Sequence, residues 1–273
     1  MNTPTSASNP QSATPERDVL MAIDGHVATI TFCNEARFNA MAYSMWLKLG
    51  DYLEDLHHRA EVRVVILRGA GEKAFVSGAD ISEFGEKRND PEQVALYDRA
   101  VSRAQGALSD FPRPVIAAIS GICYGGGLGL ILACDLRFAA PNAKFRMPAA
   151  RLGLGYAYTG LKRMVNILGV AKASEVFFTA NVYPAQEAHG LGLLNSLHDN
   201  VFEHAQSVAH QIAQNAPLTI AAAKLAINTV MAGSDAELVS RVDQAVKGCF
   251  ASKDYAEGRA AFAAKRDPVF KGE

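Results

Sequence analysis

The sequence predicts an α/β core followed by a helical C-terminal region. Three observations lead there. Short β-branched runs alternate with helical periodicity up to about residue 160. Beyond that point the pattern is helical almost throughout. The 273 residues are 49% apolar and 20% charged, which is ample for a full hydrophobic core.

Residues 19–23 and 27–32 read as strands, with Asp24-Gly25 as the hairpin turn between them. Residues 42–59 read as a helix whose apolar face carries Met45, Leu49, Tyr52, Leu53 and Leu56, with Trp46 beside it. The unbroken apolar run 64–67 reads as a strand covered on both faces. A helix over 91–109 starts with Pro91 near its first turn. Pro112 and Pro114 stop it and launch the strand 115–119. A helix then runs from Gly125 to about Cys134, followed by a short strand over 135–139. Helices follow over 161–168, 171–178, 184–189, 201–215, 218–231, 236–250 and 254–264, interrupted by a strand over 193–197. The division predicted is a core over 17–200 and a helical region over 201–273. Residues 1–16 are Ser, Thr, Pro and Asn with no apolar segment; they read as a disordered arm rather than a signal peptide. There is no internal repeat at the level of sequence.

Composition excludes several function classes. A formal net charge of −1, with lysines and arginines scattered, offers no face for nucleic acid or an anionic membrane. No stretch is long and apolar enough to cross a bilayer. Cys33, Cys123, Cys134 and Cys249 have neither metal-ligand spacing nor a disulfide framework. The histidines form no His-Glu-x-x-His pattern, and His57 and His58 point to different sides of their helix. No metal, flavin or nicotinamide site is expected, and a reduced cytoplasm fits.

Two glycine-bearing turns carry the chemistry. Phe75-Val76-Ser77-Gly78-Ala79-Asp80-Ile81 follows the strand 64–67, and Gly121-Ile122-Cys123-Tyr124-Gly125-Gly126-Gly127 follows the strand 115–119 and opens a helix. Three glycines oppose helix formation intrinsically. Either two backbones pack closely there, or a ligand approaches the first N–H groups of the helix. The Gly-x-Gly-x-x-Gly spacing of a dinucleotide site fails at Leu130, and there is no Gly-Lys-Ser/Thr phosphate loop. In the first turn Asp80 can cap the short helix that follows, so taken alone that turn reads as an ordinary strand-to-helix loop. If both turns aim a backbone N–H at one point, they would stabilise a negative oxygen.

Together the turns resemble those of the crotonase (enoyl-CoA hydratase/isomerase) superfamily. The likeness continues through Asn34-Glu35-Ala36-Arg37-Phe38-Asn39-Ala40, Cys134-Asp135-Leu136-Arg137-Phe138-Ala139, Phe145-Arg146-Met147-Pro148, Arg151-Leu152-Gly153-Leu154-Gly155, Phe178-Thr179-Ala180, Ala185-Gln186-Glu187-Ala188 and Gly190-Leu191-Gly192-Leu193-Leu194-Asn195. It covers residue 17 to the C-terminus. It implies a spiral of ββα units, C-terminal helices at a subunit interface, and a homotrimer or a hexamer. It also implies an acyl-CoA thioester substrate, whose oxygen the amides of Ala79 and Gly126 would hold as it becomes an enolate, with coenzyme A part of the substrate and no separate cofactor. The backbone of Ala79, Asp80, Ile81 and Ser82 would frame the CoA. Arg37 is a candidate phosphate contact, or else a plain surface arginine; Lys265 or Arg266 could help.

The chain departs from that pattern at two positions. Relatives that hydrate use two glutamates around one water. The first would stand at Gly129 and the second, following the proline of the catalytic loop, at Ala149. Neither residue can move a proton, which puts the usual hydration route in doubt and leaves double-bond migration, decarboxylation or hydrolysis of a CoA ester. Tyr124, Tyr156 and Tyr158 could border the pocket, although a tyrosine with an ordinary pKa near 10 is a poor base. Glu83 and Glu86, just after the first turn, are candidates to reach an acyl chain. Asp135 reads as structural, while Arg146 and Arg151 could serve subunit contacts or an acidic acyl group. A non-catalytic acyl-CoA-binding subunit is the competing reading.

Overall fold

The computed structural model describes residues 17–83 and 90–273, with the side chain of Ile81 outside that description. The expected arm over 1–16 and Glu86 therefore lie outside the described residues.

The hairpin forms as expected: β1 (Asp18–Asp24) pairs antiparallel with β2 (Val27–Cys33). Every further pairing in the large sheet is parallel. Its order is β1-β2-β3-β5-β7-β10, with β3 at Val64–Gly69, β5 at Val115–Ile119, β7 at Leu136–Ala139 and β10 at Ser196–Leu197. Strand β3 alternates between two cores. Val65 and Leu67 join the core with Leu49 and Leu53 of helix α1 (Tyr43–His58), while Val64 and Ile66 meet Ala205, Ala209 and Ala213 of α6 (Val201–Ala213). Covering both faces is why the strand reads as an unbroken apolar run, and the alanines at i, i+4 let α6 lie close to the sheet.

A second, smaller sheet stands beside the first, ordered β4 (Ala74–Val76), β6 (Ile122–Tyr124), β8 (Lys144–Arg146) and β9 (Tyr183–Pro184). It reveals a repeat in space. Strand β3 then β4 leads to α2 (Pro91–Ser109); β5 then β6 leads to α3 (Gly126–Ile131); β7 then β8 leads to α4 (Tyr158–Thr179). Each unit gives one strand to each sheet and then a helix, the spiral of ββα units expected from the resemblance. The small-sheet strands escape sequence pattern because they are two or three residues long. The predicted helix from Gly125 to Cys134 is shorter, ending at Ile131, and the strand predicted over 193–197 is only Ser196–Leu197. Residues 161–168 and 171–178 lie in two helical segments as expected, parted within α4 at Gly169, whose φ of +74° and ψ of 164° are not helical.

Helices α5 (Ala185–Gly190), α7 (Pro217–Ala232), α8 (Ala236–Ala251) and α9 (Lys253–Ala264) complete the chain. Asp135 ties the helical region to the core. Its carboxylate accepts from the Val115 amide at 2.7 Å and from the buried Lys224 of α7 at 2.6 Å; Lys224 also donates to the Arg113 carbonyl. This is the structural role expected of Asp135. Lys224→Met strands that carboxylate and frees α7; because Asp135 is partly solvated, the expected cost is about 1–3 kcal/mol, read as a lower midpoint in urea unfolding.

Candidate functional site

The two glycine turns meet. A Cβ built on Gly126 would lie 3.8 Å from the Gly78 carbonyl carbon, and one built on Gly125 would lie 3.9 Å from the Gly78 Cα. Glycine is required nearby: a Cβ on Gly127 would collide with the Val76 carbonyl oxygen, so β4 and the start of α3 touch backbone to backbone. Gly127→Ala is expected to destabilise the protein by about 1–3 kcal/mol through this overlap, seen as a lower melting temperature.

The first turn is fixed by a single parallel bridge between Met41 and Ala79. The Met41 amide donates to the Gly78 carbonyl at 2.8 Å, and the Asp80 amide donates to the Met41 carbonyl at 2.9 Å. In such a ladder the residue between those two bonds turns its own N–H to the opposite edge. Ala79 is that residue. Gly126 is the first residue of α3 and has no intrahelical acceptor. Among the described residues, neither the Ala79 nor the Gly126 amide donates to a protein acceptor. The positive end of α3 adds to the field at Gly126.

Trp46 supports both turns. Its indole is buried, and its Cζ2 lies 3.1 Å from the Cβ position of Gly126. The indole N–H donates to the Tyr97 hydroxyl at 2.9 Å, which in turn reaches the Met41 carbonyl at 3.3 Å. One chain of contacts thus joins the Gly-rich turn to the bridge that orients Ala79. Sequence reasoning placed Trp46 beside an apolar face and missed Tyr97. An indole with its N–H buried demands an acceptor, and that was the available signal.

Asp80 is buried and caps the 3-10 turn Ile81–Glu83 as expected: the Ser82 amide and hydroxyl donate to it at 3.0 and 2.7 Å. Burial alone would raise its pKa. The Ser82 hydrogen bonds and the charges of Arg17 at 3.0 Å and Arg37 at 3.8 Å outweigh that and hold the carboxyl below its usual value. Its contribution to stability is therefore present above the ordinary carboxylate range and is lost as pH falls through the lowered folded value. Arg37 remains more than half exposed beside Asp80. Glu83 is committed elsewhere: it accepts from the Tyr43 amide at 2.8 Å, at the start of α1, and pairs with Arg17.

Ala149 is buried at the head of a 3-10 turn, Ala149–Arg151, and the preceding Pro148 ring would lie 3.7 Å from a Cβ on Gly125. The loop after β8 therefore leans on the Gly-rich turn, and the Gly125 amide donates to the Arg146 carbonyl at 2.9 Å. The Arg146 guanidinium reaches the Ala180 carbonyl at the end of α4, while Arg151 is exposed. Tyr124 lies on β6, immediately before the turn, and is half-buried. Tyr158 points outward, 77% exposed. Tyr156 is the tyrosine that approaches Gly129, its hydroxyl 3.2 Å from the Cβ position there. Burial pushes its pKa up to about 12, with Arg163 pulling weakly the other way, so it stays protonated and is no base at neutral pH. Arg266 forms a two-pronged pair with Glu257, and Lys265 caps α9 in a left-handed conformation.

Known proteins resemble this chain over most of its length. The family model for enoyl-CoA hydratase/isomerase matches residues 22–273. A short-chain-enoyl-CoA hydratase of Clostridium acetobutylicum is 34% identical over 253 residues, spanning 91% of this chain and 95% of the relative. The mitochondrial methylglutaconyl-CoA hydratase of Mus musculus is 31% identical, spanning 86% and 76%. Among solved structures, an enoyl-CoA hydratase of Bacillus anthracis superposes with a TM-score of 0.88 at 34% identity, covering 93% of this chain and 99% of that one. This chain belongs to the enoyl-CoA hydratase/isomerase family, the crotonase superfamily.

Proposed function

We propose that the chain binds an acyl-CoA thioester and polarises its carbonyl between the amides of Ala79 and Gly126. The observation that carries the reading is that two turns from separate ββα units meet, each with an amide turned away from its own neighbours. Electrons leaving the α-carbon collect on the thioester oxygen, so donors fixed there in advance stabilise the enolate. The backbone of 79–82 frames the CoA, and Arg37 meets a phosphate. No cofactor beyond the CoA of the substrate is invoked.

Hydration by two glutamates is not expected. Gly129 and Ala149 carry no proton-transfer group, and Tyr156 holds its proton. Reactions that rely on the enolate-stabilising amides more than on a base, such as decarboxylation of a CoA ester, fit these residues better than hydration does. The same features favour one second reading, a non-catalytic acyl-CoA-binding subunit. A panel of short and medium enoyl-CoAs, followed by loss of the conjugated thioester, and of carboxylated acyl-CoAs, followed by release of carbon dioxide, tests both. Turnover of one ester supports the enzyme; tight binding with no turnover supports the subunit; no binding contradicts both.

We also propose a homotrimer or hexamer. Phe178, Phe250 and Phe262 are 75, 62 and 87% exposed in the single chain, and such apolar surface favours association. Light scattering should return a trimer or hexamer mass, and a monomer would contradict the proposal.

A further inference from the structure

Where relatives keep a catalytic glutamate, this chain brings two neutral polar groups together. Gly129 follows Gly126 by three residues on α3, so both sit on one helix face, about 5 Å apart. A Cβ on Gly129 would lie 2.5 Å from Gln105 Nε2 and 3.2 Å from the Tyr156 hydroxyl. Gln105 comes from α2 and is 8% exposed, while Tyr156 comes from the segment just before α4. Their meeting is built by glycines. A Cβ at Gly160 would lie 2.5 Å from the Tyr156 ring, so Gly160 makes room for the ring and Gly129 for the hydroxyl. Phe177 holds the ring edge-on at 5.5 Å.

Among the described residues, neither the Gln105 carboxamide nor the Tyr156 hydroxyl hydrogen-bonds to a protein group, and neither belongs to the fully enclosed unpartnered atoms, so both reach open space. Polar groups that border open space without a protein partner are satisfied by water or by a ligand. Two of them converging one helical turn from the Gly126 amide point to a ligand atom as the partner. A carboxamide donates and accepts, and a protonated phenol donates. Neither carries a charge that would balance a carboxylate, so an uncharged oxygen is the partner that leaves no unpaired charge in this partly buried corner.

We propose that Gln105 and Tyr156 form a specificity subsite for an uncharged oxygen on the acyl chain, next to the thioester carbonyl. This rests on the acyl-CoA reading above. The subsite selects an ester bearing a hydroxyl or keto group near its thioester end and does no proton transfer itself.

Calorimetric titration of the purified protein with butyryl-CoA and 3-hydroxybutyryl-CoA, both epimers, tests it. One or two neutral hydrogen bonds predict about 5- to 20-fold tighter binding of one hydroxy epimer. Tyr156→Phe, which keeps the ring on Gly160 and Phe177, is expected to cut that preference about 3- to 5-fold and leave butyryl-CoA affinity unchanged. Gln105→Leu with Tyr156→Phe erases it, and melting curves verify that each variant is folded. Equal binding of the two esters by the unaltered protein overturns the subsite and leaves the acyl-CoA reading standing. A purely structural role is shown if Tyr156→Phe weakens both esters alike, which also overturns it. Binding of neither ester sinks the acyl-CoA reading and the subsite together.

Discussion

Gly126→Pro lowers turnover of a thioester substrate about 100- to 1,000-fold, whereas Gly126→Ala retains most of it. The pair isolates the donor. Proline is tolerated at the first position of a helix, where its missing N–H has no intrahelical partner, so α3 survives. Both variants place a Cβ 3.1 Å from Trp46 Cζ2 and must displace the indole by a few tenths of an ångström. What they do not share is the amide hydrogen. Removing one oxyanion donor costs about two to three orders of magnitude in rate, so the gap between the variants measures that hydrogen bond. Steady-state kinetics on an ester identified in the panel gives the comparison. Equal losses in both variants would place the effect in packing against Trp46 and remove Gly126 from the mechanism.

Trp46→Ala is expected to cost about 3–5 kcal/mol of stability, the largest single loss from any side chain discussed. The indole is 1% exposed and spans the space between α1, the Gly-rich turn and Tyr97. Its removal leaves a cavity under Gly126 and takes away the donor that the Tyr97 hydroxyl faces. For a chain of this size the melting temperature should fall by about 10 °C. Trp46→Phe keeps much of the volume and loses the N–H, so its loss should be smaller. A calorimetric scan of the three proteins checks the order. An unchanged melting temperature for Trp46→Ala would show that the turn is held without the indole.

The legible parts of this fold were those with a long pattern. Strand β3 announced its two covered faces through Val64, Val65, Ile66 and Leu67, and α2 was bounded by Pro91 and Ser109, where the structure also begins and ends it. Strands β4, β6, β8 and β9 were not legible, since two or three residues carry no period. The break at Gly169 was legible, since a glycine between two helical patterns marks the place where the helical backbone is interrupted. At the site, the turns around Gly78 and Gly126 were visible because glycine clusters oppose helix and strand alike. Their meeting was not visible, because it depends on Gly127 lying against Val76 across two units of the spiral. Gln105 was missed for the same reason: nothing along α2 distinguishes it, and only the contact with Gly129 gives it meaning.

The spatial repeat also explains why the two donors come from different units. Each ββα unit turns sharply between its small-sheet strand and its helix, and that turn exposes backbone amides. Stacking β4 beside β6 brings two such turns together. The proposed chemistry would thus reside in backbone geometry that the sheets hold rigid, independent of the acid–base groups that Gly129 and Ala149 leave out.

The most direct measurement is a crystal structure with a non-reactive acyl-CoA analogue bound. The thioester oxygen should sit within about 2.7–3.1 Å of both the Ala79 and the Gly126 amide nitrogens. A bound analogue whose carbonyl touches neither amide would contradict the account at its centre.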